Sequence, residues 1–267
     1  MRDEFFASLE VILHTSEIQK RFELFDELYQ KMPDLSFDHS SSIYPITQPI
    51  YQEICKIIHP TKIQRSKSIH SDCAMAAFLH SIAHIEYSAI DLALDASYRF
   101  RNLPSEFYRD WIEVAREEIT HFKMLRALLQ SLGYDYGDFA VHSNLFDAMK
   151  ATPNFADRMA LVHRGMEANG LDANPFVVQK VERSLHPLKD QILEVLAVIL
   201  RDEISHVARG DRWWRFSKDP RKFEEILRLY AYSLPKVLNI DARLQCGFSL
   251  EELDRLRAYA LHSRSTL

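Results

Sequence analysis

Four long segments of the chain carry apolar residues at alternating separations of three and four positions. This spacing is typical of α-helices that bury one face in a helix bundle. The four stripes consist of Met75, Leu79, Ile82, Glu86, Ala89, Ala93, Ala96 and Phe100; Phe107, Trp111, Val114, Glu118, His121, Leu125, Leu128 and Leu132; Ala156, Ala160, His163, Glu167 and Gly170; and Ile192, Leu196, Ile199, Glu203, His206, Gly210 and Trp213. Alternating runs are few, and the chain has 6 Gly among 267 residues. The pattern therefore predicts an all-α protein.

The first two stripes predict an antiparallel helix hairpin. Ser71 and Asp72 supply a helix start, and the first helix runs to about Phe100. The link over 102–104 is short, so the next helix has to fold back along the first. The second helix runs to Leu132 and ends where Gly133 follows.

The last two stripes predict a second hairpin, which is reached through a long crossover over residues 133–154. The third helix begins near Asn154, and the Gly- and Pro-containing segment 170–175 predicts a break before helical spacing resumes over 176–185. The break is interpreted either as a plain helix end or as a local opening that admits small molecules. Two antiparallel hairpins joined by a crossover make a four-helix bundle.

Further helices are predicted on both sides of the bundle. An amphipathic helix covers 3–31, a shorter one lies near 46–58, and two more lie near 221–232 and 249–262. The predicted domains are an N-terminal helical extension over 1–69, the four-helix bundle over 70–217 and a C-terminal helical appendage over 218–267.

One six-residue chemical pattern occurs twice on the inward stripes. Residues 116–121 read Arg-Glu-Glu-Ile-Thr-His, and residues 201–206 read Arg-Asp-Glu-Ile-Ser-His. Residues three apart share a helix face, so Glu118 with His121, and Glu203 with His206, direct a carboxylate and an imidazole to one point. Burial of such groups costs several kcal/mol unless they are paired or bind a metal.

The other two stripes each contribute one glutamate. The predicted metal ligands are Glu86, Glu118, His121, Glu167, Glu203 and His206. Four carboxylates and two imidazoles can hold two metal ions inside a bundle. Carboxylate and imidazole ligands without a thiolate suit iron or manganese better than structural zinc. We therefore expect two iron ions, with manganese or a mixed Mn/Fe pair as alternatives.

Two acids precede the motif glutamates and are candidates to support the ligands. Glu117 and Asp202 can accept the free ring N–H of the histidine in the opposite motif, Asp202 from His121 and Glu117 from His206. Such a bond sets the tautomer of the imidazole and raises its basicity. The alternative is that both are surface acids that pair with the arginine preceding them in the motif.

Other histidines lie on the same helices. His163 is one turn before Glu167 on the inward stripe, where it is either a core histidine or a residue beside the metal site. His80 and His84 are one turn apart on the first bundle helix. We expect this pair to be packed or solvated rather than to form a second metal site.

With this order of ligands the chain resembles the ferritin-like di-iron carboxylate superfamily over residues 70–217. Within that superfamily it resembles a bacterial family known only as a domain of unknown function. The local segments that carry this closer resemblance are 89–104, 107–111, 133–138, 170–175 and 201–214. A more distant similarity, in ligand order alone, is to the tRNA-modifying di-iron hydroxylases.

The resemblance implies a ferritin-like bundle that binds metal. In resembling proteins the two metals react with dioxygen, so an oxygen-dependent oxidoreductase, a hydroxylase or oxidase with a small-molecule substrate and an external electron donor, is the first expectation. The alternatives are an iron-binding or detoxifying protein, and a metal-binding scaffold without catalysis. A homodimer is also open.

Composition limits the compartments and the kinds of partner that are expected for this protein. The chain is 47% hydrophobic and 27% charged, and it has no apolar run of 18 residues, so we expect a soluble, cytoplasmic protein without a membrane partner. Three cysteines outside any Cys-x-x-Cys arrangement fit a reducing compartment. The net charge of −5 disfavours RNA, although basic clusters occur over 62–67 and 209–222.

Overall fold

The structure is a computed structural model that describes residues 4–63 and 68–262. These residues form helices and two isolated β-bridges, Glu4 with Ser36 and Ile57 with Val141, so the all-α class is confirmed. The helices are α1 (Phe5–Leu13), α2 (Ile18–Lys31), α3 (Asp72–Arg99), α4 (Ser105–Ser131), α5 (Asn144–Ala151), α6 (Phe155–Asp157), a π-helix (Arg158–Met166), α7 (Ala168–Glu182), α8 (Lys189–Phe216), α9 (Phe223–Leu229), α10 (Ile240–Gln245) and α11 (Leu250–His262). Short 3₁₀ turns cover Met32–Asp34, Ile50–Glu53 and Pro60–Lys62.

The chain divides into two compact units, the first ending at Asp147 and the second beginning at Ala148. Each contains one of the two repeated motifs. No helix among the described residues is long and apolar enough to cross a membrane.

The first unit is organised around the α3–α4 hairpin, as the stripes predict. The hydroxyl of Ser71 accepts the backbone N–H of Ala74 and thereby caps α3. In the link between the helices, the Tyr108 hydroxyl donates to the carbonyl of Phe100 at 3.0 Å, which ties the start of α4 to the end of α3. After α4, Gly133 has a φ of 80°, a left-handed conformation that ends the helix and favours glycine.

The predicted helix over 3–31 is two helices, since the chain leaves helical geometry between Leu13 and Ile18. The carboxylate of Glu17 accepts the backbone N–H groups of Gln19 and Lys20, so it starts α2 as a cap. Side-chain capping competes with a continuous helix, and the apolar spacing does not reveal it. The predicted helix near 46–58 is likewise wrong, because only the 3₁₀ turn over Ile50–Glu53 forms there.

Helix α2 docks on α3 through a buried ion pair between Arg21 and Asp91. The Arg21 side chain is 1% exposed, and its guanidinium lies 5.3 Å from the ring centroid of Tyr87. Burial of one charge without the other is costly, so this contact sets where α2 lies on the hairpin.

The second unit contains the third predicted helix, in which the predicted break is wrong. The segment 170–175 is not a break, since α7 continues through Pro175. A proline leaves the carbonyl four residues earlier without its helical donor. The side-chain amide of Asn239 donates to that carbonyl, Leu171 O, at 3.1 Å. A tertiary contact therefore replaces the missing bond.

The departure from α-helical geometry lies earlier, in the π-helix over Arg158–Met166. The backbone N–H of Glu167 donates to the carbonyl of Val162 at 3.2 Å, a bond across five residues rather than four. Such π turns are rare and are found disproportionately at functional sites.

The C-terminal helices pack in the second unit. Helix α9 contacts the π-helix, α10 contacts α7 and α8, and α11 contacts α9. Arg243 of α10 forms a bidentate pair with Asp172 of α7, at 2.9 and 2.7 Å, and both side chains are buried. The sequence predicts α9 and α11 but misses the six-residue α10 between them.

Candidate metal centre

In the first unit, α3 and α4 bring together a glutamate and a Glu-x-x-His pair. Nδ1 of His121 lies 3.0 Å from Oε2 of Glu86 and 3.4 Å from Oε2 of Glu118. One ligand atom from each of the three residues lies within 4.8 Å of the others, and all three residues are buried. The arrangement can hold a metal ion.

The electrostatics of this cluster reflect two carboxylates held away from water. Burial raises the pKa of Glu86 to about 7, and the negative charge of Glu118 adds to the shift. Burial by itself lowers the pKa of His121, but hydrogen bonds and charges from Glu118 and Glu86 outweigh it and raise the pKa to about 12. In the absence of metal, a bound proton thus supplies the positive charge that stabilises these two carboxylates.

The donor chemistry of the cluster fits iron or manganese. Two carboxylates and one imidazole are hard or intermediate ligands, whereas the thiolates that favour structural zinc are not part of this group. Small side chains of α3 are buried beside it in the sequence, among them Ala83, Ala89 and Ala93. The cluster is closed to water, with side-chain exposures of 5% for Glu86 and 1% for Glu118.

In the second unit, Glu203 and His206 are buried on α8, and Nδ1 of His206 lies 3.9 Å from Oε1 of Glu203. Gly170 of α7 faces Glu203, because a Cβ placed on Gly170 would lie 3.8 Å from its carboxylate. Gly210 faces the carbonyl of His163 in the π-helix. Both contacts fit a single antiparallel register between α8 and the continuous segment of the π-helix and α7. This register places Glu167 at the level of His206.

The two units share one feature of their helix register. A lone glutamate lies at the level of the motif histidine, Glu86 with His121 in the first unit and Glu167 with His206 in the second. Glu167 is only partly buried, whereas Glu86 is buried. The ligand atoms of Glu86, Glu118 and His121 lie within 4.8 Å of one another, whereas among the described residues Glu167 forms no such group with Glu203 and His206. The second hairpin also differs in helix geometry, since only it contains a π-helix.

His163 lies within the π-helix and is 2% exposed. Burial, together with the nearby charge of Arg158, holds its pKa well below the ordinary value, so the imidazole is neutral. A neutral imidazole is the form that can bind a metal, but its role beside the site stays a prediction.

The two supporting acids have different surroundings. Asp202 forms a bidentate pair with its neighbour Arg201, at 2.8 and 3.1 Å, as the alternative interpretation expects. Glu117 is half-buried on α4. Their predicted bonds to His121 and His206 remain predictions.

His80 and His84 are packed core residues, as expected. Nε2 of His80 accepts the backbone N–H of Gly137, while His84 contacts the Tyr136 hydroxyl at 3.0 Å and the carbonyl of His142 at 2.7 Å. Burial lowers the pKa of His80 to about 4 and that of His84 to about 3. Both rings hold the loop after α4 in place.

Sequence reasoning missed the buried polar residues that surround the π-helix, above all Arg164, Asp211 and Glu252. Arg164 is fully buried, with partners on α8 and α11. The arginine follows His163 directly, but no local pattern distinguishes it from a surface arginine.

Together, the fold and the cluster define an all-α protein with a buried carboxylate–imidazole site that can hold a metal ion. The chain belongs to the family described as Protein of unknown function (DUF455), whose model matches residues 14–254. It is similar to an uncharacterized protein of Haemophilus influenzae, with 37% identity over 272 residues that cover 94% of this chain and 93% of that protein. No solved structure matches the chain.

Proposed function

We propose that the protein is a ferritin-like dinuclear metal protein that catalyses an oxygen-dependent oxidation, as a hydroxylase or oxidase. In this proposal the two hairpins form one four-helix bundle, and the six predicted ligands hold two iron ions, or manganese in one or both positions. The observation that carries the proposal is the buried cluster of Glu86, Glu118 and His121.

The energetics of the cluster support a resident cation. The two carboxylates and the imidazole are 0% to 5% exposed, so they lose most of their hydration when the protein folds. Such a loss is offset by a partner of opposite charge, and a divalent metal supplies more positive charge than one proton does. Metal binding would then displace the proton that Glu86 and His121 share.

The second unit supports two metals rather than one. Glu203 and His206 repeat the spacing of Glu118 and His121, and Glu167 lies at the level of His206 as Glu86 does at that of His121. In this proposal Glu167, Glu203 and His206 hold the second ion, so that each hairpin supplies three ligands. Glu167 is the more accessible glutamate, so the second triad is the side on which substrate is expected to approach.

The chain's own residues would bind, orient and enclose the ions. Iron, when bound, supplies the reaction with dioxygen, and an external donor supplies electrons. Glu86, Glu118 and His121 would fix one coordination sphere on two helices. Tyr87 and Phe122, which follow Glu86 and His121 in the sequence, are buried with ring centroids 4.9 Å apart.

The test is the metal content of the purified protein after expression with iron and manganese, by elemental mass spectrometry. We expect near two equivalents for the wild type, and a loss of one or both in Glu118→Gln and in His206→Gln. Glu106→Gln is the matched control, because Glu106 is an exposed acid in the first turn of the same helix as Glu118. Thermal unfolding checks that each variant is folded.

Anaerobic reduction followed by exposure to oxygen then separates the functional classes. Oxygen uptake with a transient optical change supports the oxidoreductase. Two bound metals without oxygen uptake would turn the assignment to a non-catalytic scaffold, and continued iron uptake beyond two equivalents would turn it to storage. Full metal content in both ligand variants would overturn the site itself.

A further inference from the structure

The π-helix sets the direction of the side chains around Glu167. A π turn contains nearly one residue more than an α turn, so each of its residues advances around the axis by less than the roughly 100° of an α-helix. A return of the segment Arg158–Met166 to α geometry would therefore rotate Glu167 relative to His163 about the helix axis. The position of Glu167 therefore depends on whatever holds the π register.

Arg164 lies in the middle of this segment and is completely buried. Its Nε lies 2.6 Å from Oδ1 of Asp211 on α8, and its terminal nitrogen donates to Oε1 of Glu252 on α11 at 3.0 Å. These acids are in turn bonded by Arg215, which is 53% exposed. Two arginines and two acids make a neutral network, and this allows a full charge to be buried.

Aromatic rings enclose the guanidinium of Arg164. The ring centroids of Phe248, Phe223 and Trp214 lie 3.8, 4.3 and 4.8 Å from its central carbon. Contacts of this kind favour a planar cation at one position and orientation. The rings belong to α8, to α9 and to the loop between α10 and α11, so C-terminal elements surround one side chain of the π-helix.

The backbone next to Arg164 is also fixed. A Cβ on Gly210 would lie 2.2 Å from the carbonyl oxygen of His163 and 2.9 Å from the backbone nitrogen of Arg164. The π-helix and α8 therefore touch backbone to backbone at this level, one turn beyond His206. Asp211 follows Gly210 directly, so the close approach and the ion pair act at the same level.

We infer that Arg164 is a positioning residue for the metal centre, and that α9 and α11 act as a clamp that holds it. Through Asp211 and Glu252 it fixes the π register, and the register fixes where Glu167 points relative to Glu203 and His206. The effect of Arg164 on metal binding rests on the proposed function, whereas its role in holding the π-helix does not.

The test compares Arg164→Met with Arg243→Met in the full-length protein. Both arginines are fully buried, pair with acids and lie beside Phe248, but Arg243 anchors α7 through Asp172. Amide hydrogen exchange of the metal-free protein is measured by mass spectrometry. Arg164→Met is expected to speed amide exchange across 158–167 at least tenfold and to leave the exchange rate of α3 unchanged. Arg243→Met is expected to speed exchange in α7 instead.

Cobalt(II) titration, followed by visible absorption, reports on the metal centre in the same variants. Arg164→Met is expected to weaken the binding of the second cobalt ion at least tenfold and to change the absorption spectrum of that ion. Arg243→Met is expected to keep the wild-type spectrum. Glu252→Gln removes one anchor charge and keeps an acceptor oxygen, so it should show the same effects to a smaller degree if Arg164→Met does not fold.

The outcomes separate the two proposals. Exchange across 158–167 at the wild-type rate in Arg164→Met, or in Glu252→Gln if only that variant folds, overturns the positioning role whatever the metal result. Equal spectral changes in Arg164→Met and Arg243→Met also overturn it, since they indicate general loosening. A wild type that binds no cobalt contradicts the proposed function, and hydrogen exchange then decides the positioning role alone.

Discussion

Individual polar side chains in the core of the first unit are set by burial and by their bonding partners. His80 is 1% exposed, and its Nε2 accepts the backbone N–H of Gly137 at 3.0 Å. Protonation would place a charge in the core and replace this acceptor by a donor, so burial lowers the pKa of His80 to about 4. The ring is therefore neutral at neutral pH.

This pKa shift predicts a loss of stability in acid. An unfolded histidine binds its proton near pH 6.5, whereas folded His80 does so only near pH 4, so the unfolded state holds more protons between these values. Stability is then highest above pH 6.5 and falls as the pH is lowered. Between pH 7 and pH 5 the wild type should lose about 2 kcal/mol more than His80→Gln, as measured by urea unfolding.

Glutamine is the suitable replacement because its side-chain oxygen can accept the Gly137 N–H without taking up a proton. Exposed His14 serves as the control, since His14→Gln should leave the pH dependence as it is. Equal acid sensitivity in the wild type and His80→Gln would show that other groups control the transition.

At the scale of one residue, the sequence indicates the ligand candidates because each breaks an apolar stripe. Glu86, Glu118 and His121 are found together as their spacing predicts. The sequence did not resolve the partner of Asp202, because the adjacent Arg201 and a distant histidine are both chemically suitable. The bond to Arg201 is visible only in the structure.

At the scale of the element, the close contact between the π-helix and α8 depends on glycine. Gly210 leaves no room for a side chain, since its Cβ would meet the His163 carbonyl at 2.2 Å. At Gly170 the nearest atoms to a Cβ are 3.8 Å away, an ordinary contact distance. Two helical glycines of one unit thus differ in what they permit.

We expect Gly210→Ala to destabilise the protein by at least about 3 kcal/mol, because backbone has to move to admit the methyl group. Gly170→Ala is expected to be neutral or to stabilise by up to about 1 kcal/mol, since alanine favours a helix. Denaturant unfolding of both variants measures the difference. Similar stabilities would mean that α8 and the π-helix do not touch as described.

The third helix shows why element geometry is only partly predictable. Gly170 and Pro175 suggest a break, but Asn239 bonds the carbonyl that the proline leaves without a donor, and α7 continues. The π-helix has no comparable local signal, because the contacts that hold it come from α8, α9 and α11. The cap at Ser71 and the helix start near Asn154, by contrast, depend on local bonds, and both were predicted from the sequence.

At the scale of the molecule, the charge distribution bears on nucleic-acid binding. In the basic cluster over 209–222, Arg215 pairs with Asp211 and Glu252, and Arg221 pairs with Asp157 and Asp219. In the other cluster, over 62–67, residues 64–67 lie outside the described part of the chain. These carboxylates compete with phosphate groups for the two arginines.

We therefore expect little affinity for RNA. An electrophoretic mobility shift with total tRNA should show no complex at moderate salt, since binding by the remaining basic residues is screened and the net charge is −5. A complex that persists as salt is raised would contradict this expectation and favour the tRNA-modifying alternative. A strongly basic RNA-binding protein in the same gel confirms that the assay detects complexes.

The sequence by itself determined the features that arise from local interactions. Helix periodicity, capping and the three-residue spacing of Glu118 and His121 depend on contacts within one or two turns, so the all-α class and the ligand candidates follow from the chain alone. Only the tertiary structure decided the π register, the continuity of α7 and the partners of Arg21 and Arg164. These depend on residues far apart in the chain, as with Arg164 and Glu252, where burial makes a pairing energetically necessary but does not name the partner.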